Sequence, residues 1–260
     1  MLEITVPRPA VEQDPFTCVL ALLGSSESSV EAAIASAAML PPRGRLVLAA
    51  VADTDNAGRA AIAPRRMARR RHRDALSRLA EAQRACDARP GHLLVGDPVR
   101  AGLAVARAEA ATLIAVRGPE PGREPFTGDV AAGILRAARG SVLVVRGGLF
   151  GPPRRIVAGV DGSRGGIRAA AAAAELAARC GARLTLLAAS GGRPLDLERV
   201  YTRHPGAVLD PRPPADALVA AAQDADLVVV SSRGLRELPA LGSVGDRVSS
   251  RAACSVLTVR

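Results

Sequence analysis

Asp161, Gly162 and Ser163 follow an apolar run at 155–160, and Ser231, Gly234, Gly242 and Ser243 follow another at 226–230. A carboxylate at the end of a strand accepts hydrogen bonds from an amine or a hydroxyl, such as an adenine amine or a ribose hydroxyl. Glycines let a backbone approach phosphates, and free amides at a helix N-terminus favour anions. The string Ser231-x2-Gly234-x7-Gly242-Ser243 has those parts, with Arg233 and Arg236 as added cations. Glu237 and Pro239 lie inside it and work against a triphosphate, one by charge and one by stiffness. The plain alternative is that Gly234, Gly242 and Ser243 are turn and cap residues with no ligand. Both readings stand at this point.

Other chemistry is excluded by what the chain lacks. All 35 basic residues are arginine. Without lysine there is no phosphate loop of the GxxxxGK[ST] kind, no Schiff base and no kinase strand lysine. His72 lies in an arginine run, His92 at a strand start and His204 in a Gly/Pro-rich connection, and no GxSxG elbow occurs. Only Asp161 and Asp246 offer carboxylates for nucleotide cleavage, so an enzyme is not expected. Cys18, Cys86, Cys180 and Cys254 are far apart and without CxxC, which reads as free thiols, with no metal.

The formal net charge is +10 and its densest stretch is Arg65, Arg66, Arg69, Arg70, Arg71, His72 and Arg73. One reading is a phosphate-tracking or partner-binding patch; the other is the solvated start of a helix. Phe16, Phe126, Phe150 and Tyr201 are the whole aromatic complement, so no platform exists for stacking bases and nucleic acid is not expected. No stretch of eighteen apolar residues is free of charge, and residue 1 is not followed by a basic region and an apolar core, so a cytoplasmic location without membrane contact is expected.

The elements that must hold these residues are written twice. Residues 18–33 align without a gap on 155–170, and residues 112–146 on 226–260. The offset falls from 137 to 114, so the first copy is 23 residues longer between its shared ends. The extra length falls around Asp53–Pro90, where an Arg-rich start precedes a helical run at 74–89. The second copy has only Gly191–Pro214 there, without an apolar helical period, and is expected to have lost a helix. That loss would leave one side of its crevice more open.

Each copy reads as apolar strands without polar alternation, each followed by a helix, which implies a parallel sheet covered on both faces. In the first copy strands are predicted over 18–23, 45–51, 93–95, 112–116 and 141–146, with helices over 27–39, 74–89, 102–109 and 130–138. In the second, strands are predicted over 155–160, 183–188, 207–209, 226–230 and 255–260, with helices over 167–180, 215–224 and 244–251. The expected class is therefore α/β, two tandem five-stranded parallel-sheet domains over 1–148 and 151–260, joined by GGLFGPP at 147–153.

GVDGS at 159–163, ADLVVVSSRG at 225–234, GSVGDRV at 242–248 and CSVLTVR at 254–260 resemble the universal stress protein family, as do GDPVRAGLAVARAEAATLIAVRG at 96–118 and SVLVVR at 141–146 more loosely. That family divides into members that bind ATP and members that do not. The resemblance implies a stress-response binding protein. Its nucleotide-binding positions in the second copy are Asp161, Gly162, Ser163, Ala188, Ser231, Arg233, Gly234, Gly242, Ser243 and Val244. ATP-binding members show G-x2-G-x9-G-[ST]; here the first Gly is Ser231 and the spacer is two residues short. The first copy has Gly24 at the place of Asp161, Glu120 at that of Gly234 and Asp129 at that of Ser243, while Gly128 keeps its counterpart, so no nucleotide is expected there. An adenine nucleotide in the second domain is one expectation; a nucleotide-independent scaffold acting on an unidentified protein partner is the other. The terminal strands at 142–145 and 256–259 imply an intrachain pseudo-dimer, and a homodimer is a further implication.

Overall fold

The computed structural model describes residues 14–24, 27–52, 64–119, 130–191, 196–232 and 244–260. They form two compact units, one built on Phe16–Pro119 and ending at Gly151, the other built on Pro152–Arg260.

The first unit runs β1 (Cys18–Leu23), a 3-10 turn (Glu27–Ser29), α1 (Val30–Met39), β2 (Arg45–Ala52), α2 (Pro64–Cys86), β3 (His92–Val95), α3 (Pro98–Ala108), β4 (Leu113–Arg117), α4 (Val130–Ala137) and β5 (Ser141–Val145). Its strands lie in the order β3-β2-β1-β4-β5 and every pairing is parallel. The two strands flanking β1 are thus reached by crossovers in opposite directions. Strand β1 (CVLALL) is buried along its whole length, as a strand covered on both faces must be. One layer packs Val30, Ala33, Ala75, Leu79 and Ala82 of α1 and α2 on Ala21, Leu23, Leu48 and Ala50. The other packs Val105, Ala106, Ile134 and Leu135 of α3 and α4 on Leu20, Leu22, Ile114 and Val142. Helix α3 starts where its sequence directs. Asp97 Oδ1 accepts from the Arg100 amide at 2.6 Å, and Pro98 occupies the first turn, where no amide is needed.

The second unit repeats the plan: β6 (Arg155–Gly159), α5 (Arg164–Cys180), β7 (Arg183–Ala189), α6 (Leu197–Arg203), β8 (Val208–Asp210), α7 (Pro214–Ala221), β9 (Leu227–Ser231), α8 (Val244–Arg251) and β10 (Ser255–Val259). The order is β8-β7-β6-β9-β10, again all parallel. The Ala-rich α5 ends on Gly181, whose φ of 64° is the left-handed conformation that only glycine adopts freely. Ala215, Leu218, Val248 and Ala252 of α7, α8 and its end cover the opposite face on Val228, Val230 and Val256.

Two expectations need correction. The second copy has not lost its helix: α6 spans seven residues where α2 spans 23. Its only buried residue is Val200, so it has no apolar period to read. It is held at its start by Asp196, whose Oδ1 accepts from the Arg199 amide at 2.9 Å. The helix predicted over 74–89 begins ten residues earlier, at Pro64, and the arginine run forms its opening turns, in keeping with the reading of that run as a solvated helix start, because arginine is itself a good helix former.

Candidate functional site

In an open α/β sheet the crevice for a ligand opens at the carboxyl ends of the strands where the winding reverses. In the second unit that point lies between β6 and β9, which pair directly, with β7 on the far side of β6. Register sets Leu187 opposite Gly159 and Val229 opposite Ala158. Ala188, Val160 and Ser231 therefore stand level across three strands, and Asp161 is the next residue outward. The structure thus brings five sequence-predicted positions together: Asp161, Ala188, Ser231 and the turn formed by Gly162 and Ser163. Val244 begins α8 on the far side of the loop. Arg233, Gly234, Gly242 and Ser243 lie outside the described residues, as do Arg236, Glu237 and Pro239.

Asp161 is half-buried and fixed by its neighbours. Its Oδ1 accepts from the Ser163 amide at 3.0 Å and from Ser163 Oγ at 2.5 Å. Ser163 is also the N-cap of α5, its Oγ accepting from the Gly166 amide at 3.1 Å. The carboxylate, the cap and the helix N-terminus form one hydrogen-bonded unit. Two glycines give it room. A Cβ at Gly166 would stand 2.6 Å from Asp161 Oδ1, and one at Gly165 would stand 2.9 Å from Ser231 Oγ. The first turn of α5 therefore lies directly against both the carboxylate and the end of β9.

Gly162 has φ of 71°, and a Cβ there would lie 3.0 Å from Arg199 Cγ. Helix α6 thus rests on the Asp161–Ser163 turn. The expectation of a more open crevice on that side is overturned, because the short helix still reaches the place that a missing one would have exposed. The same crossover carries two perturbed groups. His204, which caps α6, is only 3 % exposed, and neither ring nitrogen has a hydrogen-bond partner among the described residues. Burial, with Arg203 adding to it, pushes its pKa below the usual imidazole value. Hydrogen bonds from Arg212 hold the Asp210 carboxyl down at about 2.

The equivalent point of the first unit is built differently. Gly24 replaces Asp161, and Ser29 replaces Gly166 and donates its hydroxyl to the Gly24 carbonyl at 3.3 Å. Arg117 stands where β9 has Ser231, and Glu31 stands where α5 has Arg168. Arg117 Nε lies 3.1 Å from Glu31 Oε2, with side chains only 10 % and 17 % exposed. Arg117 Nη1 also donates to the carbonyls of Val145 and Gly118 at 3.1 and 3.2 Å. A buried ion pair fills the switch point of this unit, whereas the second unit has a serine against a glycine. Sequence reasoning missed Glu31, Arg117, Gly165 and Arg199. The signal for the pair was available, because aligning the copies puts opposite charges at two positions that carry Ser and Arg in the other copy. Glu120, Gly128 and Asp129 lie outside the described residues.

At the opposite, amino ends of the strands, Glu109 accepts from Arg45 Nη1 at 2.5 Å and pairs with His92 Nε2 at 2.9 Å, which keeps its carboxyl low. This cluster ties β2, β3 and α3 together away from the crevice. Among the described residues no group of three or more His, Cys, Asp or Glu side chains converges as metal ligands, and no helix is long and apolar enough to cross a membrane. Cys18 and Cys254 are buried and Cys86 and Cys180 partly so, all as thiols.

Residues 17–146 and 208–260 match the model of the universal stress protein family. Among solved structures, a universal stress protein from Archaeoglobus fulgidus DSM 4304 aligns over 94 % of this chain and 96 % of its own, with 17 % identity and a TM-score of 0.67. A second such protein, described as putative, from Pseudomonas aeruginosa UCBPP-PA14 aligns over 94 % and 93 %, with 18 % identity and a TM-score of 0.63. At such identities the likeness is one of fold. No curated protein matches the chain significantly.

Proposed function

This chain belongs to the universal stress protein family, and we propose that it is a cytoplasmic stress-response binding protein with one adenine-nucleotide site, located in its second unit. The observation that carries the reading is the contrast between two equivalent crevices. One is filled by the Arg117–Glu31 pair, and the other presents a pre-positioned carboxylate beside small side chains.

The residues suit the ligand. Asp161 is an acceptor for an adenine amine or a ribose hydroxyl, and its geometry is set in advance by Ser163, so little ordering accompanies binding. Ala188 and Ser231 are small side chains one step inward from it, and Gly165 lets the helix backbone come close. The amides of the α5 first turn add positive potential. Gly234, Gly242 and Ser243 are assigned to the phosphates by the family pattern. The shortened spacer and Glu237 make the proposed affinity for a triphosphate weak, so AMP or cyclic AMP is held at least as well as ATP. Occupancy would tune a partner-binding surface, without turnover.

The hydrogen bonds that Asp161 Oδ1 already accepts from Ser163 favour a second reading, in which the carboxylate serves only to build the cap of α5 and the protein is a nucleotide-independent scaffold. Titration calorimetry of ATP, AMP and cyclic AMP into wild type and Asp161→Ala separates the two. Saturable heat that disappears in the variant supports the nucleotide site. No heat with any of the three leaves the scaffold.

A further inference from the structure

The arginine run of the first unit acquires a geometry in α2 that its composition does not reveal. Arg66, Arg69, Arg70 and Arg73 are exposed, and on a helix of about 100° per residue they fall within one stripe roughly 100° wide. Arg84 continues the stripe about three turns further on and is exposed as well. The opposite face of the same helix is apolar and spent: Ala75, Leu79 and Ala82 are 0 %, 6 % and 0 % exposed and pack on the sheet. Of the four, Arg70 makes a loose contact to Asp74 at 3.9 Å, with the arginine side chain 84 % exposed.

From Arg66 to Arg73 the rise is about 10 Å, with successive steps of about 4.5, 1.5 and 4.5 Å, so the four charges fall within about three phosphate steps of one duplex strand. Duplex nucleic acid carries one phosphate per about 3.4 Å of axis on each strand. We infer that the exposed arginine stripe of α2 is a binding surface for the phosphate backbone of a nucleic-acid duplex. The scarcity of aromatic residues argues against single strands, whose bases must be stacked; contacts to a duplex backbone need charge alone. An anionic membrane fits less well, because surface helices bind bilayers by burying an apolar face, and the apolar face of α2 is already covered, leaving Met67 and Leu76 exposed as single residues on either side of the stripe. This site is independent of the proposed nucleotide crevice and stands or falls without it.

The test is fluorescence anisotropy of a labelled duplex of roughly 20 base pairs titrated with the full chain over a series of KCl concentrations. Four backbone contacts predict a slope of log K against log [KCl] of about −3.6, a weakening of about 150-fold between roughly 50 and 200 mM salt. Changing Arg66, Arg69, Arg70 and Arg73 together to Gln, which keeps helix propensity, is expected to remove most of that slope, and changing the four to Lys to preserve it. A control chain with the exposed Arg43, Arg107, Arg136 and Arg139 changed to Gln loses the same net charge and is expected to keep the slope. The inference is overturned if wild type shows no salt-dependent binding, or if the control loses as much as the stripe variant. It is also overturned if phosphatidylserine vesicles displace the duplex.

Discussion

Replacing Gly166 with Ser, and Asp161 with Gly, writes the first unit's arrangement into the second, since those are the residues at Ser29 and Gly24. Gly166→Ser alone sets a Cβ 2.6 Å from Asp161 Oδ1 and 3.2 Å from the Asp161 backbone nitrogen. Such overpacking costs about 1–3 kcal/mol, offset by about 0.5 kcal/mol of helix propensity gained on leaving glycine. Asp161→Gly alone removes two charge-assisted hydrogen bonds from a half-buried carboxylate, worth about 1–2 kcal/mol together. In the double variant the closer contact, to the carboxylate, is gone, and the new hydroxyl can donate to the backbone carbonyl of residue 161 as Ser29 does to Gly24. The two changes are therefore expected to be non-additive by about 1–2 kcal/mol in the favourable direction. Urea unfolding followed by tyrosine fluorescence reads this cleanly, because Tyr201 is the one tyrosine, there is no tryptophan, and it sits on α6 of the affected unit. With a slope of about 1–2 kcal/mol per molar urea, Gly166→Ser should lower the midpoint by about 1 M, and the second change should restore much of it. Additivity within about 0.5 kcal/mol would refute the claim that these two residues compete for one space.

Three further outcomes follow from the same geometry. Glu31→Gln leaves the Arg117 guanidinium buried without its counter-charge and is expected to destabilise the first unit by about 2–4 kcal/mol, seen as an earlier far-ultraviolet dichroism transition with an unchanged Tyr201 transition. Because the His204 pKa is lowered in the fold by burial, the unfolded chain binds the extra proton first as pH falls. The Tyr201 midpoint should thus decline below about pH 6.5, and His204→Leu should flatten that decline. The low Asp210 value of about 2 adds stability above the unfolded carboxyl range that is lost as pH drops through about 2 to 4. Since the Arg212 side chain of the pair is half exposed, added salt should shrink that acid-limb contribution, measured again by Tyr201 fluorescence.

The parts of the fold that were legible in the sequence are those whose residues carry redundant signals. Runs such as 18–23 and 227–230 are continuously apolar and buried on both faces, so composition alone marks them. Helix α5 has a serine cap, an alanine body and a terminal glycine. Helix α6 escaped because one buried valine makes no period, and its start depends on a single Asp196 hydrogen bond. The arginine run was legible as a solvated helix start, and only the bound at 74 fell late, because the helix propensity of arginine extends α2 back to Pro64. In the candidate site, Asp161 was legible from its place after a strand, whereas the glycines that accommodate it act through space. Gly165 meets Ser231 from another strand altogether, and no local pattern encodes that contact. The Arg117–Glu31 pair is likewise a contact between β4 and α1, separated by most of the unit.

Equilibrium dialysis of labelled ATP or AMP against the full chain, read as moles bound per mole of protein at saturation, bears most directly on the claim that duplication left one open crevice and one plugged. One nucleotide per chain, abolished by Asp161→Ala and unaffected by Glu31→Gln, is the predicted result. Two per chain, or one that survives Asp161→Ala, would contradict it.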